Sequence, residues 1–267
     1  MTIPPDTLAL TPSTQTYTPT LHNLAHSQAH RVLWILEELH LSRGLTYNVK
    51  NYTRSPENRE IALLHPLGKA PVLTLELTSS SPTTTLPTLQ PTCPPGTLVE
   101  SKLILDWLAH EYADGLYEPE AAEEKHRDAF WSEFSTSTFT PKSSLALAFD
   151  LISILLPWPF SRLVALMTGL LVRHFVSDLV KIFEVMEKEL EISEKEGRGE
   201  WFAGKKMGLS DVNLTWAMDV SDQKGWFKRE EFPRLAKWLE GIHERPAYKT
   251  ALEKGIGFDL KTFGLKG

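Results

Sequence analysis

Hydrophobic and polar positions alternate between two periods along the first third of the chain. Pro19–Leu24 reads as a short strand. Ser27 then precedes Val32, Ile35, Leu36 and Leu39 at helical spacing, which predicts a helix with Ser27 as its N-cap. Leu45, Tyr47 and Val49 alternate as a strand would. Residues 56–64 suit a short helix, His65-Pro66-Leu67-Gly68 a turn, and Pro71–Leu77 a strand opening on proline. Thr97–Val99 is a further short strand, followed by a helix over Glu100–Tyr112 with Leu103, Ile104, Trp107 and Leu108 inward. The order is βαβα and then ββα.

Beyond Asp114-Gly115 only the helical period remains. Helices are expected over Glu120–Phe139, Leu145–Leu156, Phe160–Lys195, Leu209–Val220 and Phe232–Arg245, with Pro157-Trp158-Pro159 as a break and Gly197-Arg198-Gly199 as a stop. The pattern predicts a small α/β domain followed by an all-helical one.

Composition narrows the function. The 267 residues carry 28 Lys and Arg against 34 Asp and Glu, a formal charge of −6, which argues against nucleic acid as a partner. The one cysteine, Cys93, excludes an internal disulfide framework and a multi-cysteine metal site, and it fits a reducing, cytoplasmic setting. The first residues lack the basic start and apolar run of a secretory signal. The most apolar stretch, Leu145–Val176, is interrupted by Asp150, Pro157, Pro159, Arg162 and Arg173. It reads as core helices and not as a transmembrane segment, with a membrane-surface hairpin as the lesser alternative. Residues 1–17 read as a loose tail and 78–97, rich in Pro and Thr, as a long surface loop; both are expected to be dispensable for folding.

Four segments in order carry a family likeness: Leu24–Leu39 with Ala25-His26-Ser27-Gln28-Ala29-His30-Arg31; His65–Leu73 with Gly68-Lys69-Ala70-Pro71-Val72; Leu98-Val99-Glu100-Ser101; and Trp201-Phe202-Ala203-Gly204 with Ser210-Asp211, Phe232–Leu239 and Arg245-Pro246-Ala247-Tyr248. Over roughly residues 19–252 the chain resembles a cytosolic glutathione S-transferase of the branch common in fungi and bacteria. The resemblance implies a thioredoxin-like glutathione-binding domain over 18–114, with 78–97 as an inserted loop, and an all-helical domain over 119–255. It implies glutathione as co-substrate, no metal, and a small hydrophobic electrophile lodged near residues 130–175. It further implies a homodimer in the cytoplasm, serving detoxification or secondary metabolism. A glutathione-dependent cis–trans isomerase and a non-catalytic ligand-binding or regulatory protein are the alternatives on the same fold.

The candidate site follows residue by residue. The resemblance implies a cis bond between Ala70 and Pro71, with the backbone of Val72 pairing with the cysteinyl unit of glutathione like an added strand. Glu100-Ser101 stands at a helix start, where free N–H groups and the dipole suit an anion. The resemblance gives Ser101 the γ-glutamyl carboxylate, Glu100 the ammonium and Lys69 the glycine carboxylate. Ser27 is the expected donor to the glutathione sulfur, with His26 as rival and backbone amides as the third possibility. Asp211 is read as a structural cap for the helix that Gly208 opens. Arg31 and Trp34 are read as packing and domain-contact residues, and Cys93 is not taken as a nucleophile. His22, His26 and His30 are four residues apart, but no carboxylate or cysteine completes a ligand set, so no metal is assigned.

Overall fold

A computed structural model describes residues 15–53, 60–78, 85–152 and 156–260. Residues 1–14 of the expected tail and 79–84 of the expected loop therefore lie outside the described residues. The chain forms two compact units. The first comprises Met1–Leu116 together with Glu244–Phe258, and the second Tyr117–His243 with Asp259–Gly267.

In the first unit the elements run β1 (Tyr17–Leu24), α1 (Ala29–Arg43), β2 (Asn48–Tyr52), α2 (Glu60–Leu64), β3 (Val72–Leu77), β4 (Thr97–Val99) and α3 (Ser101–Tyr112). The sheet order is β2-β1-β3-β4, with β2 parallel to β1 and β3 antiparallel to both β1 and β4. The β2 strand starts at Asn48 and not at Leu45, because Asn48 pairs with Thr20 while Leu45 is buried below the α1 C-terminus. On α3 the buried residues are Ile104, Leu105, Leu108 and Tyr112; Leu103, expected inward, is exposed.

Helix α9 (Pro246–Lys254) belongs with this unit, which moves the boundary drawn at residue 119–255. Its ties run to α1 and the sheet. Tyr248 meets the rings of His30 and Trp34 edge-on, Arg245 donates to Glu38 at 2.8 Å, and Lys254 pairs with Glu37 at 2.6 Å. Asn23 donates to the Gly255 carbonyl at 3.0 Å. A Cβ at Gly255 would come within 2.9 Å of Leu33 Cδ2, so the close approach needs glycine there.

The second half of the Pro/Thr-rich stretch is not a free loop. The Gln90 side chain accepts from the Val99 N–H at 2.8 Å and donates to the Val99 carbonyl at 3.3 Å, covering the outer edge of β4. Cys93 is buried beside it, and Gly96 accepts from Leu75 N–H at 2.8 Å.

The second unit holds α4 (Ala122–Phe134), a π turn (Ser135–Phe139), α5 (Thr140–Ile152), α6 (Phe160–Lys195), α7 (Leu209–Gln223) and α8 (Pro233–His243). The π turn runs directly into Pro141, which has no N–H to give the carbonyl one turn back; the widened turn accommodates it. Phe139, Phe183, Phe227 and Phe232 form an aromatic core. The start of α6 departs from the core-helix expectation: its first buried residue is Leu179, and Phe160, Leu163, Leu166, Met167 and Leu170 face solvent.

Asp211 is fully buried at the start of α7 and accepts three N–H groups: Phe202 at 3.0 Å, Gly208 at 2.9 Å and Trp238 Nε1 at 2.8 Å. Burial pushes its pKa up to about 7, against the pull of those donors. A Cβ at Gly208 would lie 2.2 Å from Asp128 Oδ1, so no serine or threonine fits at this N-cap. Asp128 supplies the missing oxygen instead, accepting the Ser210 N–H at 2.8 Å.

Candidate functional site

The first unit gathers the sequence-predicted residues at three turns: β1 to α1, the approach to β3, and β4 to α3. At the first turn, His26 takes a left-handed backbone conformation with φ 55°, uncommon for a residue with a Cβ. Its ring lies 6.4 Å from that of Phe258. Ser27 is buried, and its hydroxyl accepts the Ala29 N–H at 3.1 Å, two residues on. The helix therefore starts at Ala29 with Gln28 at the cap position, one residue later than a Ser27 N-cap requires. Because the Ser27 oxygen accepts from the backbone, its proton remains to be donated.

At the second turn the Ala70–Pro71 bond is cis. Val72 does not have the open backbone expected of it. It is in register with His22 of β1 on one side and with Val99 of β4 on the other, so no further strand can pair there. Ala70 precedes the strand, and neither its N–H nor its C=O is bonded among the described residues. Among the described residues the unbonded peptide is thus that of Ala70, two residues earlier than Val72. Lys69 beside it is exposed and makes no ion pair among the described residues.

At the third turn Glu100 has φ 70° and ψ 110°, a strained conformation for a non-glycine residue that costs on the order of 1–3 kcal/mol. It turns the chain sharply from β4 into α3, where its carbonyl accepts from Ile104 N–H at 2.9 Å and Ser101 opens the helix. The Glu100 side chain is exposed. Ser101 Oγ accepts from the Arg31 guanidinium and donates to Gln28 Oε1 at 3.1 Å; Arg31 also donates to Gln28 at 2.5 Å. Three side chains from the starts of α1 and α3 thereby meet at one corner. Arg31 is buried, and desolvation lowers its pKa to about 10, which leaves it cationic at neutral pH.

Arg31 and Gln28 are the residues that the sequence reading missed at this corner. Arg31 looked like packing because its partner lies seventy positions away. Trp34 does pack, against Tyr248, and its Nε1 donates to Glu38 at 2.8 Å. The three histidines do not converge. His22 is held in the sheet by Tyr52 at 2.8 Å and Thr74 at 3.0 Å, with its pKa lowered by burial and then by Lys50, while His30 stacks on Phe258. Cys93 is buried in the 85–97 segment. On the second unit an open groove of 510 Å³ is lined by His126, Arg127, Phe130, Trp131, Glu189 and Arg198, among others.

Comparison with known proteins agrees with this architecture. Residues 177–246 match the family described as glutathione S-transferase, C-terminal domain. Glutathione S-transferase 3 of Schizosaccharomyces pombe is 24% identical over 241 residues, spanning 88% of this chain and 86% of its own. Among solved structures, a glutathione S-transferase from Actinobacillus pleuropneumoniae superposes with a TM-score of 0.65 at 25% identity, covering 92% of this chain and 97% of that one. A glutathione transferase homolog from Lodderomyces elongisporus, solved with two GSH per subunit, superposes with a TM-score of 0.65 at 19% identity over 88% and 98% of the two chains. The family match over residues 177–246, together with the likeness to glutathione S-transferases of yeasts and a bacterium over most of the chain, supports a cytosolic glutathione S-transferase family member of the type found in fungi and bacteria.

Proposed function

We propose that the protein binds glutathione on its first unit and transfers the thiolate to a small hydrophobic electrophile. The observation that carries the reading is the corner where Arg31, Gln28 and Ser101 meet beside the strained Glu100. A buried cation, a hydroxyl and the free N–H groups opening α3 favour a carboxylate, as the γ-glutamyl group presents. Glu100 offers its side chain to the neighbouring ammonium. Ala70, not Val72, lends its N–H and C=O to the cysteinyl backbone, and Lys69 takes the glycine carboxylate.

Ser27 then faces the thiol. Its oxygen is engaged by Ala29 N–H, which leaves the hydroxyl proton for a sulfur acceptor. Lowering a thiol pKa from near 8.5 to about 6.5 requires about 2.7 kcal/mol in favour of the thiolate. A charge-assisted hydrogen bond and the amino end of α1 together supply an amount of that order. The thiol proton is lost to water; the ionised sulfur bonds to the electrophilic carbon as a leaving group departs with its electron pair, or as a conjugated double bond opens and takes a proton from water, and the enzyme contributes thiolate stabilisation and proximity. No step calls on a metal.

The test is twofold. Calorimetry with glutathione should show binding that Ser101→Ala weakens by about 1–3 kcal/mol. Mass spectrometry of incubations with glutathione and a panel of electrophiles should show glutathione adducts. Binding without adducts, and without isomerised products, would assign the protein to ligand binding instead.

A further inference from the structure

The first half of α6 has an exposure pattern that a soluble helical domain does not need. From Leu156 through Asp178 no described residue is buried. Trp158 is 75% exposed, Leu166 75% and Leu170 68%, with Phe160, Leu163 and Met167 also open to solvent. The stretch is long and apolar enough, by length and composition, to resemble a membrane segment, although hardly any of it is covered. An exposed apolar surface of this extent ordinarily has an occupant.

The charges around it identify the occupant's chemistry. Between Asp150 and Asp178 the sequence has no acid, and its only full charges are Arg162 and Arg173. The flanking acids are already engaged: Asp178 by Lys142 at 2.6 Å and Lys181 at 3.3 Å, and Asp150 by Lys224. So a chain of net charge −6 carries an apolar strip whose own charge is purely positive. An antiparallel two-fold contact between copies through this strip would set arginine against arginine with no carboxylate to separate them.

Helical geometry orders these groups. Arg162 and Arg173 are eleven residues apart, so they share one line along the helix to within about 20°. Leu166, Leu170, Leu163, Met167, Phe160 and Leu171 fan out over roughly 140° beginning beside that line. The opposite side carries the half-buried Ser161, Val164, Thr168, Val172 and Phe175, and Phe175 stacks on Phe149 of α5. An apolar arc with basic residues along one edge and aromatic residues at one end is the arrangement of a helix lying in the surface of a bilayer, its arginines reaching the phosphates.

We propose that Trp158 and the exposed arc of α6 from Phe160 to Leu171, with Arg162 and Arg173 at its edge, seat the protein on an anionic lipid bilayer.

Flotation of the full-length protein with vesicles of phosphatidylcholine, with and without phosphatidylserine, tests this. The wild type is expected to float with both and more strongly with phosphatidylserine. Leu166→Asp combined with Leu170→Asp should lower the bound fraction at least tenfold, while Leu41→Asp, at an exposed leucine on α1, should leave it unchanged. Arg162→Gln with Arg173→Gln should lower partitioning about tenfold on phosphatidylserine vesicles and little on phosphatidylcholine alone. Circular-dichroism melts matching the wild type keep a loss of flotation from being a loss of fold. Absence of wild-type flotation, equal flotation of the leucine variant, or indifference to the arginines on anionic vesicles would each overturn the proposal. So would a lipid-free oligomer that Leu166→Asp with Leu170→Asp dissociates in sedimentation velocity, since the strip would then be covered by a second copy.

Discussion

The guanidinium of Arg31, near the start of α1, donates to the hydroxyl of Ser101, the first residue of α3, seventy positions further along the chain. Gln28 closes the triangle by accepting from both. One buried cation thus fixes the spacing of two helix starts and places positive charge where a carboxylate is expected to bind. Arg31→Lys keeps the charge but loses the fork that spans Gln28 and Ser101. Glutathione affinity should fall about tenfold or more, equivalent to ~1.4 kcal/mol or above. Because Arg31 stays protonated to about pH 10, wild-type affinity should not change through this residue between pH 6 and 8. Calorimetry at several pH values checks both statements.

Gln90→Ala should destabilise the fold. The side-chain amide meets both backbone groups of Val99 at the outer edge of β4, and alanine leaves them to water or to a stray strand. A loss of about 1–2 kcal/mol is expected. Removing 85–95 should cost more, because the burial of Cys93 goes with it. Thermal melts of the two variants against the wild type measure this, and an unchanged midpoint in both would return the segment to the status of a free loop.

Asp211 gives the second unit a stability that depends on pH. Its folded pKa is raised to about 7, against about 3.9 in an unfolded chain. Between these values the native state holds a proton that the unfolded state has lost. The contribution is therefore full below about pH 4 and is lost as pH rises through 7. Asp211→Asn does not titrate, so the melting-temperature gap between wild type and this variant should narrow from pH 5 to pH 8. Asp211→Ala strands three buried N–H donors and should cost about 3–5 kcal/mol at pH 5, with the cost shrinking toward pH 8 as it does for Asp211→Asn.

Local pattern carried much of this architecture, and its failures share a cause. The βαβα–ββα order, the helical remainder and the Ala70-Pro71 and Glu100-Ser101 positions were all legible, because period, proline and helix starts are local signals. Strand order is not local. Val72 looked like an open strand start until β3 was seen between β1 and β4. The cap of α7 could not be read at Gly208, since its oxygen comes from Asp128, eighty-two residues earlier than the N–H it accepts. The apolar run after Pro159 has the composition of a core helix, and periodicity cannot say whether such a helix is covered. The π turn before Pro141 has no sequence period of its own.

In the proposed reaction Ser27 holds the glutathione sulfur as thiolate. Following thiolate absorbance against pH in the glutathione complex tests it most directly, with wild type, Ser27→Ala and His26→Ala measured side by side. Ser27→Ala should raise the bound thiol's pKa by about one to two units, about 1.4–2.7 kcal/mol, and His26→Ala should leave it in place. A titration that Ser27→Ala does not move would remove this role from Ser27, pointing to His26 if that variant shifts the curve and to the amides opening α1 if neither does.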